Sequence, residues 1–426
     1  MSRHSLPSDL ESVVCSARGT FSKRSWLYLL SFVSPWILCA GQRCVTRIFA
    51  MRSHSRSLSG YYRFLSEGKI RVDLLFRLLF DLILRVFPTV SLTVVVDDTL
   101  VPKWGRKIFG TGYHHDHVKR PKAGVIWGHN WVVLAVVVSV GSGAWVALPF
   151  WIKLYRTRKT VRRKADFRTR IELAVEGLRA VRTWFSGPIT VLTDGAYNNG
   201  SLILPLRPLG LEVVSRLRSD AALRDLTPPR KPKGKRGPAP KRGLPLPSLA
   251  KLASVRSAFR ELQVAIYGKQ VTLLVREIVA YWKPVDAAVK LVITRDPRNP
   301  GRLAYLMTTN LALSATEVIE LFARRWTVEQ LFSTMKCQLG LDSAEVRTEN
   351  SVRRHAALSV AMATWVEVWA WRKGAVLRAR SFSTKIGALR QAIVTNVIFE
   401  PSPRGTRSRR VSKGVASLFA AATSAA

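Results

Sequence analysis

Between Ile70 and Arg85 apolar side chains recur every three or four positions, in the run Ile-Arg-Val-Asp-Leu-Leu-Phe-Arg-Leu-Leu-Phe-Asp-Leu-Ile-Leu-Arg, and Pro88 follows. That spacing predicts an amphipathic helix with one buried stripe, stopped by the proline. Shorter helices are expected before it. The pattern then changes period: Leu92-Thr-Val-Val-Val-Asp-Asp98 is a compact β-branched run ending in two carboxylates, with Gly105, Gly110 and Gly112 marking turns beyond it. This predicts a central strand that stops at a site. Trp131–Val140 and Ala144–Ile152 are nearly continuous apolar runs split by Gly141-Ser-Gly, as in a hairpin of buried strands. After an amphipathic helix expected over about 165–185, Ile189-Thr-Val-Leu-Thr-Asp194 repeats the short apolar strand closed by an aspartate. Three strands, a helix and a fourth strand predict an α/β fold, a mixed sheet flanked by helices.

The second half of the chain alternates differently. From Pro228 to Pro247 the composition turns abruptly to Pro, Gly, Lys and Arg, expected as a flexible cationic loop lying across a phosphate backbone. Strand-like runs return at 262–267, 271–281, 289–294 and 303–309, an inserted β-rich region. Ala315–Leu339 predicts one strong helix, and two more are expected over about 351–372 and 383–398 before a basic tail around Pro403-Arg-Gly-Thr-Arg-Ser-Arg-Arg. The chain thus divides into a helical N-terminal DNA-binding region (1–90), the first part of a core (91–215), a basic loop with the β-rich insertion (216–312), a last core helix (313–345), and C-terminal helices with a basic tail (346–426).

Charge narrows the function. Over 426 residues, 68 Lys and Arg stand against 27 Asp and Glu, a net +41, while 47% of the chain is hydrophobic. A folded protein with so cationic a surface points to nucleic acid as partner rather than to a disordered tail. Cys15, Cys39, Cys44 and Cys337 form no C-x-x-C pair, which argues against a zinc ribbon or a disulfide framework and fits a reducing compartment. The apolar stretch Trp26–Leu38 is interrupted by Ser31, Ser34 and Pro35, too short for a bilayer and a poor signal peptide. No membrane partner is expected, and the location expected is cytoplasmic, with the nucleoid.

In so basic a chain the placed acids need a reason. Asp97, Asp98 and Asp194 close two predicted strands, and Glu329 lies in Arg324-Arg-Trp-Thr-Val-Glu-Gln-Leu-Phe-Ser-Thr-Met-Lys336. Phe322, Arg325, Glu329, Phe332 and Lys336 follow one another at three and four residues, which sets them along one helix face. Three carboxylates from separate elements on a cationic surface suit two hard divalent cations, Mg²⁺ with Mn²⁺ as substitute, clamping a scissile phosphate. Taken singly, each acid also reads as a turn, a strand exit or an i,i+4 ion pair. Strand alternation points Asp97 and Asp98 to opposite faces, so one of the two is the ligand.

The order of these acids and the pattern Phe322-x₂-Arg325-x₃-Glu329-x₆-Lys336 resemble the DDE transposases of bacterial insertion sequences, in the group with a Tyr-Arg-Glu-Lys signature. The Val-Val-Asp-Asp-Thr strand, the Thr-Asp-Gly-Ala-Tyr strand end and the Arg-Trp-x₂-Glu-x₂-Phe helix share that similarity, which spans roughly 40–370. Phe322 departs from it, standing where the group has Tyr. The resemblance implies an RNase H-like core, with Asp98, Asp194 and Glu329 as catalytic and metal-binding acids. Asp98, directly before Thr99, is preferred and Asp97 is the alternative. Arg325 and Lys336 would hold phosphates. It further implies cleavage at terminal inverted repeats, strand transfer into target DNA, and a homodimer on DNA. The alternatives are an RNase H-like nuclease without strand transfer and a non-catalytic DNA-binding protein.

Other residues carry weaker signals. Lys103, Arg106 and Lys107 follow the first acids and are expected at DNA near the cut. Trp282, one of 13 tryptophans, is a candidate to stack on an unpaired base or else to pack its sheet. His115 and His117 lack a matching distant ligand and are read as solvated.

Overall fold

Helices α1 (Ser8–Val14), α2 (Lys23–Leu38), α3 (Val45–Ala50), α4 (Leu58–Ser66) and α5 (Val72–Val86) build the N-terminal region. The computed structural model describes residues 6–51, 56–115, 124–141, 143–161, 163–228 and 242–399. His117, residues 229–241 of the cationic stretch and the basic tail lie outside the described residues. In α5 the predicted stripe is buried, with Leu75, Phe76, Leu79, Phe80, Leu82 and Ile83 turned inward. These helices share one hydrophobic core with the rest of the chain. Trp36 of α2 donates its indole N–H to Leu339 O at 3.0 Å, and buried Arg43 donates to Cys337 O at 3.0 Å.

The sheet begins with β1 (Leu92–Pro102), β2 (Gly112–His115), β3 (Val125–Gly141) and β4 (Ala144–Tyr155), followed by α6 (Arg170–Trp184), β5 (Ile189–Thr193), α7 (Gly200–Leu206) and β6 (Leu211–Arg216). β1 pairs antiparallel with β3 and parallel with β5, β5 pairs parallel with β6, and β4 completes the hairpin with β3. The order β4-β3-β1-β5-β6 is an RNase H-like core. α6 covers one face at close range: a Cβ on Gly177 would stand 2.8 Å from Leu134 and 3.1 Å from Trp151.

Beyond β6 come β7 (Leu223–Arg224), α8 (Leu249–Ser254), β8 (Arg260–Ile266), β9 (Lys269–Trp282), β10 (Ala287–Asp296) and β11 (Asn299–Thr308). This is the expected β-rich insertion. Its last strand pairs antiparallel with β6, Leu306 opposite Arg216 and Thr308 opposite Val214, so insertion and core form a single 11-stranded sheet.

The single helix expected over 315–339 is instead interrupted. α9 (Ala315–Arg324) ends at Arg325–Trp326, α10 (Thr327–Ser333) restarts, and Thr334–Gln338 widens into a π-helical turn. At the break Arg325 and Trp326 N–H groups bond three residues back, and the Thr327 hydroxyl takes the Arg324 carbonyl at 2.8 Å. A side-chain hydroxyl competing for that carbonyl is a local reason for the break. The chain continues through α11 (Glu349–Arg372), α12 (Ala375–Arg378) and α13 (Phe382–Phe399), with Trp365 and Trp369 of α11 in the core. Among the described residues no helix is long and apolar enough to cross a membrane.

Candidate active site

Strand β1 carries Asp97 and Asp98 out beside β5, whose end carries Asp194, and alternation sends the two neighbours to opposite faces of the sheet. Asp97 faces the helix break. Arg325 reaches it from there, Nη1 to Oδ2 at 3.2 Å, while Nη2 of the same guanidinium holds Glu329 Oε1 at 2.8 Å. Asp98 faces α6 instead. Arg170, in the first turn of that helix, donates to both its oxygens at 3.0 and 3.2 Å, and the Tyr197 hydroxyl donates to Oδ1 at 3.0 Å. The arrangement therefore brings Asp97, rather than the preferred Asp98, toward Asp194 and Glu329. Alternation announced that only one would point there, but the choice depends on which face α10 covers, and sequence does not carry that.

Asp194 sits in a tight turn. Its Oδ1 accepts the N–H groups of Ala196 at 2.9 Å and Tyr197 at 3.3 Å, and the Ser215 hydroxyl anchors its carbonyl at 2.9 Å. Tyr197 thus ties two strands together, its backbone on Asp194 and its buried ring on Asp98. The Thr-Asp-Gly-Ala-Tyr run contained that tyrosine without revealing its partner, and Arg170 left no signal at all.

Electrostatics set Asp97 apart. Burial, reinforced by the carboxylates of Asp194 and Asp98, outweighs the pull of Arg325 and raises its carboxyl to about 7. Asp97 is thus undercompensated even with a guanidinium beside it. Asp97, Asp194 and Glu329 offer carboxylate oxygens alone, the donor set that suits Mg²⁺ or Mn²⁺. Among the described residues no group of three His, Cys, Asp or Glu stands ready to hold a metal ion; the Arg325 guanidinium bridges Asp97 and Glu329. The donor chemistry and the charge deficit fit a divalent cation, with Arg325 yielding its two acids. Its Nε is buried without a hydrogen-bond partner.

The remaining candidates separate. Lys336, in the π-helical turn, and exposed Arg106 and Lys107 line one cleft of about 1200 Å³ with Trp104, which is 96% exposed. Lys103, expected at DNA, is buried: Nζ donates to Asp342 O at 2.7 Å and Ala344 O at 3.4 Å, and burial lowers its pKa to about 8. Trp282, the stacking candidate, is only 6% exposed and pairs with Leu223 and Ala287 inside the sheet, the packing alternative. His115 lies on β2.

A family model described as DDE superfamily endonuclease matches residues 18–272, more than half of the chain. The match includes Asp97, Asp98 and Asp194 and stops before Glu329. Among curated proteins none matches the chain.

Proposed function

The chain belongs to the DDE superfamily endonucleases, nuclease-type enzymes that act on DNA and generally use divalent metal ions, and on that premise we propose that it is a transposase. In this reading it binds the terminal inverted repeats of an insertion sequence, cuts at their 3′ ends and joins those ends to target DNA, working as a homodimer on DNA. The observation that carries the reading is the meeting of Asp97 and Glu329 on Arg325, with Asp194 near enough to Asp97 to raise its pKa, at the edge of an RNase H-like core. The net charge of +41 supports DNA as the substrate.

Asp97, Asp194 and Glu329 would hold Mg²⁺ or Mn²⁺. When bound, divalent cations neutralise the scissile phosphate and make the attacking hydroxyl more acidic. Arg325, released from its acids, turns its planar fork and spare Nε to a phosphate at the cut, a bidentate geometry that a lysine does not reproduce. Lys336, Arg106 and Lys107 direct the strand along the neighbouring cleft. Asp98 stays neutralised by Arg170 and Tyr197 and keeps the Asp194 turn in place. The N-terminal helices serve as the end-recognition region, and the insertion belongs to the DNA-handling surface.

The test is an in vitro cleavage and strand-transfer assay on duplexes carrying the terminal repeats that flank the gene, with Mg²⁺ or Mn²⁺. Wild type should yield joined products, whereas Glu329→Gln should bind the same duplex and cut nothing. Nicks without joining would leave a nuclease, and tight binding without cleavage by either protein would leave a DNA-binding protein.

A further inference from the structure

On the far side of the helix break from the acids lies a second groove of about 1060 Å³, between the tip of the β3–β4 hairpin, the β8–β9 turn, α10 and the segment 378–385. The two hairpin tips meet, since a Cβ on Gly143 would stand 3.7 Å from Gly268 Cα. Consecutive residues divide the two sites: Arg325 turns to Asp97, while Trp326, 45% exposed, lines the groove.

The β8–β9 turn is the telling feature. Ile266 pairs with Lys269, so the loop is the two residues Tyr267 and Gly268, both with positive φ, +52° and +74°. Such turns favour Asn, Asp or Gly at the first position, because a Cβ there crowds the backbone. A bulky tyrosine occupies it instead, and it is 68% exposed at the groove's edge rather than buried against anything that would offset the strain. Strain retained at an exposed aromatic residue points to a bound partner.

Charge indicates which partner. Exposed Lys269 and Arg380 line the groove, and its two acids are engaged within the protein. Glu320 accepts the Ala265 N–H at 3.0 Å and Glu367 accepts Lys385 Nζ at 2.7 Å. Cations with projecting aromatic rings suit a nucleic-acid backbone and its bases or sugars.

We propose that this groove holds a second DNA duplex, the one to which the cut end is joined, with Lys269 and Arg380 on its phosphates and Tyr267 and Trp326 against its bases or sugars. The assignment rests on the transposase reading and locates its second substrate.

The experiment uses the full chain bound to an end duplex and a second, unrelated, fluorescein-labelled duplex. Anisotropy gives the affinity for the second duplex, and gels give cutting and joining. Tyr267→Gly combined with Arg380→Glu should cut the end within twofold of wild type but bind the second duplex at least tenfold more weakly, with joining reduced in proportion. Tyr267→Gly alone relieves the left-handed turn, so its melting temperature should equal or exceed that of wild type, which separates lost binding from lost folding. Second-duplex affinity within twofold of wild type would overturn the groove assignment. If wild type cuts and never joins, the transposase reading fails, and the affinity comparison still decides whether the groove binds DNA.

Discussion

Replacing Asp97 and Asp98 separately by asparagine should move stability in opposite directions, although the substitutions are isosteric and adjacent. Asparagine at 97 reproduces the protonated acid. With the carboxyl raised from 3.8 to about 7, the native chain holds a proton between those values that the unfolded chain has released. Stability contributed by this group therefore falls as pH rises from about 4 to 7 and stays low above that. A shift of about three pH units corresponds to about 4 kcal/mol, so Asp97→Asn should gain up to that amount at pH 8 and nothing near pH 4. At 98 the loss is of bonds: Arg170 donates to both carboxylate oxygens and Tyr197 donates a third bond, and weakening these charge-assisted contacts costs about 1–3 kcal/mol. For a chain of 426 residues about 1 kcal/mol moves the melting temperature by about 1 °C. Thermal unfolding from pH 4 to 8 with a chelator present is the assay. Asp97→Asn should melt up to about 4 °C above wild type at pH 8 and level with it at pH 4, while Asp98→Asn melts below it. If Asp97→Asn destabilised as much as Asp98→Asn, or its gain ignored pH, Asp97 would not be the undercompensated acid.

Three further outcomes are expected. Millimolar Mg²⁺ should raise the melting temperature of wild type at pH 8 and leave Asp97→Asn nearly unmoved, as measured by the same unfolding; equal shifts in both would place the cation elsewhere. Lys103→Met should lower stability by about 1–3 kcal/mol through the freed carbonyls of 342 and 344, with the salt dependence of DNA binding unchanged; a shallower salt slope at full stability would restore Lys103 to the DNA surface. Trp282→Ala should cost about 3–5 kcal/mol in denaturant unfolding, as for any large buried ring, and a fully stable variant with selectively lost end processing would contradict that.

Local periodicity carried most of the architecture. The α5 stripe, the β3–β4 hairpin, β5 closed by Asp194 and the inserted strands each lie close to where their patterns placed them, because each buries a face that must be written into adjacent residues, whereas β1 does not stop at its two acids but runs on to Pro102, paired with β3 through both of them. β6 escaped notice because Leu211–Arg216 is short and alternates weakly after Gly210. The break at Arg325 escaped it too, since apolar spacing runs on through 315–339 and a hydroxyl competing for one carbonyl leaves no periodic trace. At the site the sequence named the acids and their arginine but not their facing. Asp97 and Asp98 are distinguished only by the elements packed on the two sides of β1, α6 and α10, which come from distant parts of the chain. Lys103 shows the same limit, because the carbonyls that bury it lie some 240 residues away.

The pairing of β11 with β6 has a further meaning. In a free-standing core of order β4-β3-β1-β5-β6, the last strand would present a row of open N–H and C=O groups to any passing strand. Here the polypeptide leaves the core after β6, makes its excursion and returns to cover the strand from which it departed. The insertion is thus a seam that covers the open edge of the core as well as an accessory surface. Excising residues 217–308 and splicing the ends would expose that strand, and the shortened protein should self-associate edge to edge even with every catalytic acid retained.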